Sequence, residues 1–207
     1  GGPRRRVVRN DENAVTSNGA VVNDVPWQEI GPIERPSGNG SARGIGPMEF
    51  LAFYAPGPSR MLAGSTAGGL FYSRDSGTTW LRTGTDTKIG RPGVSSAVFH
   101  PSSSQTWFAA SAGNSSDNDA LWIGPTGGIF RTTDEGATWK RIATQGQLGG
   151  VWTKIFLLVI HPSDGNQLWA ATSNGVYFSS DAMATSPTWN LGAFAGEAGY
   201  DFGGGAG

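Results

Sequence analysis

The chain has 207 residues, with 33 Gly, 12 Pro, 8 Trp, no Cys and a formal charge of −1. Charge this balanced offers no overall basic field for nucleic acid, and the absence of cysteine excludes a disulfide scaffold, a cysteine–metal site and a thiol nucleophile. The longest apolar run, Ile155–Ile160, falls far short of the ~18 residues a membrane span needs.

Residues 1–25 read as an extended polar arm. The start at Gly1-Gly2-Pro3, without an initiator Met, points to a processed or partial chain. Arg4, Arg5, Arg6 and Arg9 are followed by Asp11 and Glu12, which reads as a solvated leader rather than a basic binding patch. Residues 26–191 form the folded segment, opening with a strand at 27–31, Trp27-Gln28-Glu29-Ile30-Gly31.

A repeat then organises the chain. Ser73-Arg74-Asp75-Ser76-Gly77-Thr78-Thr79-Trp80 recurs as Thr132-Thr133-Asp134-Glu135-Gly136-Ala137-Thr138-Trp139. A third copy, Ser179-Ser180-Asp181 followed by Thr188-Trp189, carries three extra residues in its turn. Upstream of each copy stand an aromatic-rich run, a run of small residues and an apolar run ending near Pro56, Pro101 or Pro162. Each unit therefore reads as four short strands, and the units span about 47–84, 94–143 and 154–192. The fold class is all-β: a β-propeller of four-stranded antiparallel blades, with about three blades present as a partial ring. The small residues of the second strands suit a region where inner strands converge on an axis. Strand 27–31 resembles the fourth strand of an earlier unit, so the ring is expected to be completed by the remainder of a larger propeller or by another polypeptide. The Gly-rich end, 192–207, reads as a linker or truncation point.

In the repeated turn the carboxylate of Asp75, Asp134 or Asp181 can accept backbone N–H bonds across its own loop. Gly77 and Gly136 supply a positive-φ position. Trp80, Trp139 and Trp189 are expected to pack beneath the turn and anchor the outer strand. These residues are assigned a structural role.

The block Gly-Gly, aromatic, Ser-x-Asp-x-Gly-x-Thr-Trp resembles the Asp-box (BNR) repeat. The resemblance covers about residues 27–191. Families with this repeat include sialidases, glycoside hydrolases of family 74, sortilin/Vps10 receptors, a photosystem assembly factor and large secreted surface proteins of Bacteroidetes-type bacteria exported through a C-terminal sorting domain. Trp27–Pro32, Gly44–Pro47 and Gly68–Ser73 are most similar to the last group. The resemblance implies the propeller fold and, from that group, an extracellular or cell-surface location in bacteria reached by type IX secretion. It does not fix an activity.

A sialidase would need an arginine cluster, and only Arg43 and Arg91 stand where strands begin. The family 74 enzymes use two carboxylates. Where the resemblance places one of them, on the segment aligned through Gly68-Gly69, this chain has Thr66, which cannot protonate a leaving oxygen. No catalytic residue is assigned. His100 and His161 both precede Pro at equivalent turns and read as structural. Glu49, Asp86, Arg91, Trp122 and Trp152 fall in connections that can reach one propeller face, and they form the candidate binding face. Trp122 and Trp152 could stack on a sugar ring or a protein partner. Trp122 belongs to a segment, 114–125, that the other two units lack. Asp117 and Asp119 in that segment are weak calcium candidates without the EF-hand spacing. No cofactor and no nucleic-acid partner are expected. The expected function is a secreted or cell-surface interaction and structural module, binding a surface protein or glycan. Alternatives are a glycan-active hydrolase with carboxylates partly outside this chain, and a receptor-like peptide-binding propeller.

Overall fold

The computed structural model describes residues 47–66, 68–89, 93–112, 127–150 and 153–192. All of them belong to one unit, Gly31–Gly207. Residues 1–30, which hold the expected arm and most of the strand 27–31, lie outside the described residues.

Three four-stranded antiparallel sheets follow one another in sequence. Blade one is β1 (Phe50–Phe53), β2 (Met61–Ser65), β3 (Gly69–Ser73) and β4 (Leu81–Arg82). Blade two is β5 (Gly93–His100), β6 (Ser103–Ala112), β7 (Gly128–Thr132) and β8 (Lys140–Thr144). Blade three is β9 (Ile155–His161), β10 (Asp164–Thr172), β11 (Gly175–Ser179) and β12 (Asn190–Leu191). Within each sheet the strands pair in chain order. A short helix α1 (Thr85–Lys88) follows β4, and a 3-10 turn (Gln145–Leu148) follows β8. The chain is a partial β-propeller. The fourth strands begin one residue after Trp80, Trp139 and Trp189, so each tryptophan closes the turn rather than opening the strand.

Register decides which side chains meet across the blades, because neighbours along a strand point to opposite faces. In blade one the row Ala52–Leu62–Tyr72 lies across three strands. It packs against Phe99, Trp107 and Phe130 of blade two in one core. In blade two the row Val98–Phe108–Arg131 lies on the opposite side from Phe99–Trp107–Thr132. Val98 and Phe108 pack against Leu158, Leu168, Ala170 and Tyr177 of blade three in a second core. The small residues of the second strands sit in these interfaces: Ala109, Ala110 and Ala170 are fully buried. Gly64 has no room for a side chain, since a Cβ there would stand 1.8 Å from the Phe50 ring.

The inner strands also bond between blades. Ser95 Oγ donates to the Ile155 carbonyl at 2.6 Å, and the Leu158 N–H donates to Ser96 Oγ at 3.0 Å. Both serines are buried, so these bonds satisfy polar groups that water cannot reach.

Candidate functional site

Four antiparallel strands in chain order put the first and third connections of every blade at one end. The second connections and the inter-blade connections lie at the other. The Asp-containing turns belong to the first end, and all three are built alike. The hydroxyl of Ser73, Thr132 or Ser179 donates to the carboxylate of Asp75, Asp134 or Asp181 at 2.8, 2.7 and 2.9 Å. The same carboxylates accept the backbone N–H of Thr79, Thr138 and Thr188, each at 2.8 Å. The threonine hydroxyl adds a second bond in the first two turns, at 2.7 and 2.6 Å. The third turn is three residues longer, yet it closes on the same N–H.

A tether joins this turn to the first connection, or to the start of the second strand, of its own blade. The residue after each aspartate, Ser76, Glu135 or Ala182, donates its N–H to the carbonyl of Ser59, Gln105 or Asn166. In the first two turns this residue and the glycine after it are both left-handed: Ser76 φ 58° with Gly77 φ 84°, and Glu135 φ 55° with Gly136 φ 83°. The N–H of each glycine donates to the Ser73 or Thr132 hydroxyl. Consecutive left-handed residues reverse the chain sharply enough to aim both N–H groups inward. A Cβ on Gly136 would also stand 3.0 Å from Thr83 Cβ and 3.2 Å from the Trp107 ring.

These bonds hold all three carboxyls below their ordinary range. For Asp75 the largest cause is the Thr79 backbone N–H, and for Asp181 it is the Thr188 N–H. For Asp134 desolvation opposes ionisation, and the bonds from Thr138 and Thr132 outweigh it. The tryptophans serve the turns unequally. Trp189 is buried and its indole N–H donates to the Ile142 carbonyl of blade two at 2.9 Å. Trp139 packs beside Trp107 at 6.4 Å between centroids, with its indole N–H buried and without a hydrogen-bond partner. Trp80 is half-buried.

A charged cluster that sequence reasoning missed lies between blades one and two. Glu135 Oε1 accepts from Arg60 Nη1 at 3.0 Å and from the Tyr72 hydroxyl at 3.1 Å, and Oε2 is paired with Arg74. Arg60 also donates to the Tyr72 oxygen at 2.6 Å, and the Arg74 guanidinium lies 5.5 Å from the centre of the Tyr72 ring. Burial opposes ionisation of Glu135, but the bonds from Arg74, Tyr72 and Arg60 hold its carboxyl below the usual range. Burial pushes the Tyr72 hydroxyl up, and the nearby Glu135 charge adds to it. At the equivalent place in the next interface, Arg131 Nη1 donates to the carbonyls of Ala182 and Ala184 at 2.8 and 3.2 Å. The one available signal was Glu135 itself, a carboxylate where the first turn has Ser76.

At the opposite end, Glu49 precedes β1, where its N–H donates to the Gly64 carbonyl at 2.8 Å. Its carboxylate accepts from Thr66 Oγ1 at 2.5 Å. Asp86 lies in α1, and its side chain is outside the described residues, as are Arg91, Trp122, Trp152, Asp117 and Asp119. Of the candidate binding face, Glu49 alone is therefore described to its side chain. His100 Nδ1 and His161 Nδ1 each accept the N–H two residues on, from Ser102 and Ser163, at 3.3 Å. The His100 ring fills the space at Gly165, where a Cβ would stand 1.8 Å from Nε2. Burial pushes the His100 ring's proton affinity down, partly opposed by the Asp164 charge. Among the described residues no three His, Cys, Asp or Glu side chains gather as a metal site.

No family model matches the sequence, and no curated protein matches it. The structure is similar to an ancestral GH74 enzyme, at 17% identity and a TM-score of 0.51, over 72% of this chain and 18% of that one. It is similar to the GH74 xyloglucanase from Xanthomonas campestris, at 16% identity and a TM-score of 0.40, over 72% of this chain and 31% of that one. It is also similar to YCF48 bound to D1 peptide, at 17% identity and a TM-score of 0.46, over 69% of this chain and 39% of that one. The chain thus spans less than two-fifths of the length of each of these structures. At such identities the likeness concerns the fold alone. Blade topology, blade-to-blade packing and the first of these likenesses agree on a partial β-propeller.

Proposed function

We propose that the chain is a segment of an Asp-box propeller that works as an interaction and structural module at a bacterial cell surface. Further blades or another polypeptide complete its ring. The observation that carries this reading is the uncovered face of blade three. Leu157 and Val159 are about half exposed, 51% and 49%, whereas Ala52 and Val98, the counterparts of Val159 in the other blades, pack partly buried against the following blade. An apolar sheet face of this kind marks an association surface. The turn carboxylates support a structural role for the Asp-box residues, because each is occupied by donors from its own turn. The candidate binding face, Glu49 with Asp86, Arg91, Trp122 and Trp152, would take a surface protein or a glycan.

A glycan-active hydrolase is the second reading, and Glu49 favours it. Its carboxylate is held by Thr66, the residue that stands where the family 74 resemblance expects an acidic group. The similarity to an ancestral GH74 enzyme agrees with this reading in fold. Sedimentation velocity of the 207-residue chain tests the first reading. Concentration-dependent association is expected, and Val159→Asp abolishes it. A chain that stays monomeric at every concentration refutes the association surface. Reducing ends released from xyloglucan by the chain, and lost with Glu49→Gln, would instead support the hydrolase.

A further inference from the structure

The two blade-to-blade contacts inside the chain follow one rule. The rows Ala52–Leu62–Tyr72 and Val98–Phe108–Arg131 are equivalent by register, and each is covered by the following blade. In both, the third-strand residue reaches the residue directly after the next turn's aspartate. Tyr72, flanked by Arg60 and Arg74, meets the Glu135 carboxylate. Arg131 meets the Ala182 carbonyl. Two guanidiniums and a phenol thus face a full charge, and one guanidinium faces a carbonyl dipole. The donor set on one blade matches the acceptor on the next.

Blade three repeats the row as Val159–Trp169–Phe178, with Leu157–Ala171–Val176 beside it on the same face. Its other face, Leu158–Ala170–Tyr177, is the one packed on blade two. At the place of Tyr72 and Arg131 stands Phe178, stacked on Trp169 with centroids 4.9 Å apart. At the places of Arg60 and Arg74 stand Gln167 and Ser180. The Gln167 amide is already committed to Asp164 Oδ2 at 2.9 Å. No cationic side chain stands in this set. A carboxylate brought onto Phe178 would lose water and gain no cationic partner, which is unfavourable.

We infer that the open face of blade three is a docking surface for one further four-stranded blade whose turn carries a small or apolar residue, not an acidic one, directly after its aspartate. The inference rests on the propeller-segment reading above and adds the partner's chemistry to it.

The test extends the full chain at Gly192 with a second copy of residues 145–192, which brings its own connection and carries Ala182 after its turn aspartate. A second version has Ala182→Glu in the appended copy. A third combines that change with Phe178→Arg in the original blade three. Hydrogen exchange is read on the original strands β9 to β11. The unaltered copy is expected to slow exchange of Leu157–Phe178 at least about tenfold, equivalent to ~1.4 kcal/mol. Ala182→Glu is expected to remove most of that protection, and Phe178→Arg to restore it by supplying the missing cation. Equal protection by the alanine and glutamate copies overturns the pairing rule and leaves blade docking standing. No protection from either copy, and none after Phe178→Arg, overturns the docking reading itself.

Discussion

Glu135→Gln removes one charge from the first inter-blade contact while keeping the side chain's shape. Glu135 is 15% exposed and its partner Arg60 is 35% exposed, so the cluster is shielded but not dry. Two bonds carry the estimate, from the Tyr72 hydroxyl at 3.1 Å and from Arg60 at 3.0 Å. A hydrogen bond to a charged group contributes about 1.5–3 kcal/mol and a neutral one about 1 kcal/mol. Solvent screening takes part of that difference at a partly exposed pair. The loss then comes to about 1–2 kcal/mol, or roughly 2–8 °C in Tm at ~2–4 °C per kcal/mol for a chain of this size. The pH dependence adds a second test. The folded carboxyl lies below the ordinary carboxylate range, so its stabilisation is complete above that range and lost as the pH falls through the folded-state value. Calorimetric melting curves of the wild type and Glu135→Gln should differ near neutral pH and converge in acid, once the pH has fallen through the depressed folded-state value. Equal Tm values near neutrality, or a gap that persists in acid, would refute the reasoning.

Three further outcomes are expected. The turn carboxyls of Asp75, Asp134 and Asp181 are all depressed, so a triple Asp→Asn variant should show a smaller acid-induced fall in Tm than the wild type, the remainder coming from groups such as Glu135. Melting from neutral pH downward checks this, and parallel curves would count against it. Gly136→Ala combines a left-handed φ of 83° with contacts to Thr83 and Trp107. It should destabilise the chain by about 2–4 kcal/mol in urea unfolding, with Cm moving and m unchanged. Ser96→Ala strands the buried Leu158 N–H, which accounts for about 1–3 kcal/mol. Amide exchange at Leu158 should accelerate more than at Leu168, and equal acceleration would sink the assignment.

The repeat, the strand order and the turn chemistry were legible in the sequence because they are local. Asp75 reaches Thr79 four residues on, and Asp181 reaches Thr188 seven residues on. Such bonds depend on turn geometry that Ser, Asp, Gly and Thr specify between them. Alternation along each strand likewise assigns Leu158 and Val159 to opposite faces before any partner is known. The inter-blade cluster was not legible. Arg60 and Glu135 are 75 residues apart, and Glu135 stands at a variable position of the repeat. Only the stacking of blade two on blade one brings the second turn under Tyr72 and between two arginines. The candidate binding face divides along the same line. Sequence reasoning groups Glu49 and Asp86 by their place in the connections, whereas the bond from Thr66 to Glu49 depends on β1 lying beside β2. By itself, then, the sequence determined the blade, since a blade is built from near neighbours. The tertiary structure alone decided how one blade recognises the next, because that recognition joins residues that only sheet stacking brings within bonding distance.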